Sequence, residues 1–134
     1  MGTNSIMHRV ENMLRLCFDV DDCITEWNHN RDYANFKPDI EMVSAINALY
    51  DQGHHITIYT ARGMKSVGPG RIAVDILPGL LQNLANIGLK FHELLTHKPV
   101  YDWIIDDKAM RPDEFKSLMN KGEFEQFKSY KPNL

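Results

Sequence analysis

The first residues able to do chemistry lie in the stretch RLCFDVDDCIT, residues 15–25, where Asp19, Asp21 and Asp22 close an apolar run. Carboxylates crowded within a few ångströms repel one another, which raises the pKa of at least one unless a cation compensates. Asp19 and Asp21 stand two apart, so on extended backbone their side chains point the same way and can share one site. Compact carboxylate and carbonyl oxygens suit Mg²⁺, which keeps some of its water and accepts substrate phosphate as a further ligand. Most isolated D-x-D pairs are solvated turn residues. Here a second acidic pair, Asp106 and Asp107, ends another apolar run, YDWIIDD. Thr60 and Arg62 finish or follow HITIYT, and Lys98 sits in HKP before the second acidic pair.

Elements that bring such residues together can be read from the pattern of apolar side chains. Leu14 to Phe18 reads as a short buried strand. DIEMVSAINALY, residues 39–50, places Ile40, Val43, Ile46, Ala48 and Leu49 roughly on one helical face, opened by Pro38 and Asp39 and followed by Gly53. HITIYT, residues 55–60, is β-branched and aromatic, a second strand. The basic, glycine-rich loop ARGMKSVGPGR leads to a helical pattern from Asp75 to Ile87 that Gly88 stops. A weaker strand near 91–95, a further strand in YDWIIDD and a helix over Pro112 to Asn120 complete the chain. This alternation predicts an α/β fold with a mostly parallel sheet and helices on both faces, and in such sheets ligands bind beyond the carboxyl ends of the strands. Asp19, Asp21, Asp22, Thr60, Arg62, Asp106 and Asp107 all fall at those ends.

At 134 residues and 43% hydrophobic, the chain suits a single domain spanning 1–134, with residues 1–12 as a loosely held arm and 26–38 as an irregular flap. A net charge of −3 with interspersed signs gives no basic stripe, so nucleic acid is not a favoured partner and a small soluble ligand suits the balance better. No run of about twenty apolar residues spans a membrane. Two cysteines close together, Cys17 and Cys23, make no disulfide framework, and a reducing cytoplasm is the expected location. Cys17 reads as core. Carboxylates around Cys23 argue against a reactive thiolate. The six histidines show no metal-ligand spacing, and His54 and His55, being adjacent on a strand, point to opposite faces. Arg62, Lys65 and Arg71 in the basic loop are candidates to grip an anionic substrate, although loop cations are more often solvated. Trp27, Tyr33, Asn35 and Lys37 either line the entrance to the site or pack the flap down.

Taken in order, LCFDVDD, ITIYTAR, HKP and WIIDD resemble the four motifs of the haloacid dehalogenase superfamily of phosphotransferases, over about residues 14–112. The pattern is also similar to small bacterial members associated with capsule or surface-polysaccharide biosynthesis. The resemblance implies a Rossmann-like, doubly wound sheet in three α/β/α layers. It implies Asp19 as the nucleophile that becomes an aspartyl phosphate, and Asp21 as the general acid and then base. Thr60 would bind phosphoryl oxygens and Lys98 would neutralise charge. Mg²⁺ would be held by Asp19, the Asp21 backbone carbonyl and Asp106, with Asp107 beside it as an outer partner or a loop cap. One departure stands out: many members have Gly then Thr after the second aspartate, whereas this chain has Asp22 and Cys23. Asp22, which adds charge and lacks glycine's backbone freedom, joins the candidate substrate contacts.

The gaps between these motifs are too short for an inserted cap domain, which implies an open site closed by substrate, by the flap or by a neighbouring subunit. The expected activity is Mg²⁺-dependent hydrolysis of a small phosphorylated metabolite: a sugar, polyol or amino-alcohol phosphate. Competing readings are a phosphatase for nucleotides or nucleic-acid ends, and a catalytically silent fold that binds a phosphorylated ligand or partner protein.

Overall fold

The computed structural model describes residues 13–26 and 37–124; the expected arm over 1–12, and Trp27, Tyr33 and Asn35 of the expected flap, lie outside the described residues. The base of the flap is closed by pairing. Glu26 N–H donates to the Lys37 carbonyl at 2.8 Å, Thr25 bridges antiparallel to Pro38, and the Lys37 ammonium stands 3.5 Å from Glu26.

Three strands, β1 (Arg15–Phe18), β2 (His55–Tyr59) and β3 (Glu93–Leu95), form a parallel sheet in the order β1-β2-β3. The register places Phe18 beside Ile58 and Ile58 beside Leu94. Parallel neighbours need crossovers, and helices supply them: α1 (Ile40–Asp51) between β1 and β2, then α2 (Ile72–Asp75) and α3 (Leu77–Asn86) between β2 and β3. The α/β reading holds at this level. The Asp39 carboxylate caps α1 by accepting the Met42 N–H at 3.0 Å, as its position suggested. The helical pattern expected from Asp75 is two helices that meet at Ile76. Pro78 falls in the first turn of α3, where its missing N–H costs nothing; inside one continuous helix its ring would clash with the preceding turn. α4 (Pro112–Lys121) ends at Gly122 in the left-handed conformation.

Strand residues alternate between faces, and here the two faces differ sharply. Phe18, Ile56 and Ile58 are buried, together with Val20, Ile24, Met42, Ile46, Leu49, Leu84 and Phe115. Each such side chain contributes roughly 1.5–3 kcal/mol by leaving water. Phe18 and Phe115 meet edge to face, centroids 5.2 Å apart, and so attach α4 to the sheet. On the other face Arg15 and Cys17 are exposed, and His55, Thr57 and Tyr59 are only half-buried. Cys17 is therefore not a core residue, because its face of β1 is the less covered one. Ile40, expected on the buried stripe of α1, is 74% exposed; Met42, with Val43, Ile46 and Leu49, forms that stripe instead.

The run YDWIIDD is not a strand. After β3 the chain turns at His97, whose φ is +66°, and the Lys98 N–H donates to the Thr60 carbonyl at 3.0 Å. Pro99 has no N–H to offer a ladder, and among the described residues no strand lies alongside the segment that follows. Trp103 is 82% and Ile105 94% exposed. A doubly wound sheet continues past the other edge of its first strand; among the described residues β1 is an edge strand, and that half of the expected topology is not formed. No helix among the described residues is long and apolar enough to cross a membrane.

Candidate active site

The loop after β1 is wound around one carbonyl. Val20 oxygen accepts the N–H groups of Cys23, Ile24 and Thr25 at 3.3, 2.9 and 3.0 Å. Val20 and Ile24 are fully buried, so the apolar members of the sequence anchor the loop while Asp19 and Asp21 stay partly open to solvent. Asp22 has φ +63°. The backbone thus adopts the left-handed conformation at the position where the resemblance led glycine to be expected. Aspartate is among the few non-glycine residues that tolerate this region, because its short polar side chain can bond locally.

Asp19 lies against Lys98, whose Nζ is 3.4 Å from Asp19 Oδ2, and Asp19 Oδ1 accepts the Val20 N–H at 2.8 Å. Burial pushes the Asp19 carboxyl above the usual carboxylate range; Lys98 and the Val20 N–H pull it back only in part. For Lys98 burial acts downward, but a hydrogen bond to Tyr101 and then the charge of Asp19 outweigh it and hold the ammonium above its ordinary value. The same ammonium sits over the Tyr101 ring, 5.4 Å from its centroid. Sequence reasoning missed Tyr101, whose only signal was its position three residues after Lys98.

Asp21 has a different partner. The Arg62 guanidinium donates from Nη2 to Oδ1 at 2.8 Å and from Nε to both carboxylate oxygens at 3.1 and 3.2 Å. The Arg62 side chain is 2% exposed, that of Asp21 24%. Arg62, read from the sequence as a candidate substrate contact, is therefore not a solvated cation of the loop but forms a buried ion pair with Asp21. The loop geometry explains why. Thr60 is fully buried, and its Oγ1 accepts the Arg62 N–H at 3.1 Å, tightening the turn out of β2. Gly63 follows at φ +84°, where an added Cβ would stand 2.6 Å from Ile76 Cγ1. Only glycine lets the loop press this closely onto α2 and α3, and that approach turns Arg62 inward toward the first loop.

Five of the expected site residues thus meet at the carboxyl ends of β1 and β2: Asp19 with Lys98, Asp21 with Arg62, and Thr60, which accepts the backbone N–H groups of both cations. Other candidates do not join them in these contacts. Lys65 is exposed, and Arg71 forms an ion pair with Asp75 at 2.9 Å along the helix surface. Lys37 pairs with Glu26 at the flap base. Asp106 and Asp107 lie on the exposed segment. Asp106 accepts the Lys108 N–H at 2.9 Å, which, with Asp107, holds its carboxyl below the usual range, and Asp107 stands 3.4 Å from Lys108 Nζ. Among the described residues no three His, Cys, Asp or Glu side chains gather as a group able to hold a metal. The donor set inferred for Mg²⁺ therefore does not fit this arrangement: the two loop carboxylates face two cationic side chains, and the third is not with them. Cys23 is no competitor for the nucleophile's role. Burial first, then the neighbouring Asp19 charge, pushes its thiol up to about 12.

No protein-family model and no curated protein matches the chain. Among solved structures it is similar to a structural-genomics target from Vibrio cholerae, known from its crystal structure, at 30% identity with a TM-score of 0.74, covering 85% of this chain and 98% of that one.

Proposed function

We propose, for a chain that belongs to one family with the Vibrio cholerae protein, that it is a phosphomonoesterase of the haloacid dehalogenase type working through an aspartyl phosphate. One observation carries the reading: a partly open aspartate, Asp19, set against a lysine, Lys98, at the carboxyl end of β1, with a second aspartate two residues on. In the first step an Asp19 oxygen bonds to phosphorus as the ester P–O bond breaks, and the leaving alkoxide takes a proton from Asp21. In the second, water attacks the phosphoryl group as Asp21 takes its proton, the acyl-phosphate P–O bond breaks, and Asp19 and inorganic phosphate are released. Lys98 offsets the charge that gathers on the transferring oxygens. The substrate class is a small phosphorylated metabolite such as a sugar, polyol or amino-alcohol phosphate in the cytoplasm, with capsule biosynthesis as the setting the resemblance suggests.

Mg²⁺ belongs to this proposal through the resemblance, as does the doubly wound, three-layer form of the sheet. In the arrangement described above Asp106 lies on the exposed segment and not beside Asp19. No step above is routed through the ion.

The test is a phosphate-release screen over sugar, polyol, amino-alcohol and nucleotide phosphates and oligonucleotide ends, with and without Mg²⁺. Wild-type protein should release phosphate from small esters, and the arms with and without Mg²⁺ test the ion separately. Asp19→Asn should lose activity on the order of 10⁴-fold or more and should not be trapped by beryllium trifluoride. Persistence of both properties in Asp19→Asn would sink the mechanism.

A further inference from the structure

We infer that Arg62 is a positioning residue for Asp21, fixing its carboxylate in distance and rotation. The inference rests on the phosphatase reading and goes beyond it by adding a residue that touches neither phosphorus nor the leaving group. Both Asp21 oxygens accept N–H groups from one guanidinium, at 2.8 to 3.2 Å. A planar fork fixes a carboxylate in distance and in rotation, which a single-point lysine contact does not. The fork is itself held. Arg62 is almost wholly buried, and its backbone N–H is tied to Thr60 Oγ1. The fork therefore sets where the Asp21 oxygens stand for the proton transfers assigned to them. With a leaving group that needs no acid, only the water step uses Asp21, so the two steps then depend on Arg62 unequally. Asp19 and Lys98, at this end of the sheet, are engaged with each other and do not substitute for the fork, and Asp22 is itself an anion.

The experiment compares wild type with Arg62→Gln and Arg62→Lys on p-nitrophenyl phosphate, whose leaving group needs no acid, following steady-state and rapid-mixing release of nitrophenol and phosphate. Expected in Arg62→Gln is a roughly 10- to 100-fold lower kcat with KM little changed. A burst of nitrophenol should appear as phosphoenzyme accumulates before a slowed water step. Arg62→Lys, which keeps the charge and packs more conservatively, should show the same burst if it folds as wild type by circular dichroism. Arg62→Gln should add nothing to the loss already caused by Asp21→Asn, because each removes the same function. Folded Arg62 variants with no burst and unchanged kcat, or losses that multiply with Asp21→Asn, would overturn the positioning role while leaving the phosphatase reading intact. A wild-type protein that releases phosphate from none of the esters overturns both, and is told apart because it is silent before any substitution is made.

Discussion

Lys98 Nζ stands 3.4 Å from Asp19 Oδ2, although the two residues come from loops at opposite sides of β2. The contact is made because the Lys98 N–H bonds to the Thr60 carbonyl, which draws the HKP loop back across the end of the central strand. Under the proposed mechanism this lysine faces the charge that develops on the phosphoryl oxygens. Lys98→Met should lower kcat by roughly 10²- to 10³-fold in steady-state assays. Tyr101→Phe should act more gently. Since the hydrogen bond to Tyr101 helps hold the Lys98 ammonium above its ordinary value, its loss should move the alkaline limb of the pH–rate profile to lower pH.

Asp22 offers a test of backbone conformation apart from catalysis. At φ +63° a β-branched residue is strained where glycine is not. Asp22→Gly should stay within about 1 kcal/mol of wild type in urea unfolding, whereas Asp22→Val should lose about 1–2 kcal/mol. Equal stability of the two variants would contradict the left-handed turn.

Asp39 links stability to pH. Its carboxylate caps α1 and also meets Lys116 Nζ at 2.7 Å, joining α1 to α4. Burial acts upward on this carboxyl, but Lys116 and the Met42 N–H outweigh it, and the net direction is downward. A carboxyl with a folded-state pKa below its unfolded value stabilises the fold fully above the ordinary aspartate range, near pH 4. That contribution is lost as pH falls through the lowered folded value. Asp39→Ala should therefore cost about 1 kcal/mol or more at pH 7. It should also flatten the decline of stability below about pH 4, as read from thermal melts across an acid series.

Much of this molecule is legible from local pattern. A short apolar run and a β-branched, aromatic run marked β1 and β2, a weaker run marked β3, and Asp39, Gly88 and Pro112 marked helix ends by chemistry that acts within one or two turns. The acidic loop after β1 was legible in its residues, whereas the left-handed turn at Asp22 was seen only in the structure. What failed was long-range: YDWIIDD has the composition of a buried strand, yet a strand exists only where another strand accepts its hydrogen bonds.

The sequence by itself determined which residues carry charge and chemistry, and that Asp19, Asp21 and Thr60 lie at strand ends, because strand and turn propensities act between near neighbours. Lys98 against Asp19 was implied by the resemblance, but the tertiary structure alone decided that Arg62 meets Asp21. Arg62 and Lys65 belong to one loop and read alike as solvated cations, but Gly63 packed against Ile76 and the Thr60 turn direct Arg62 inward onto Asp21, 41 residues away, and leave Lys65 in water. A charge so deeply buried persists only beside its opposite. Where that opposite lies is fixed by packing across the sheet, which no short stretch of sequence records.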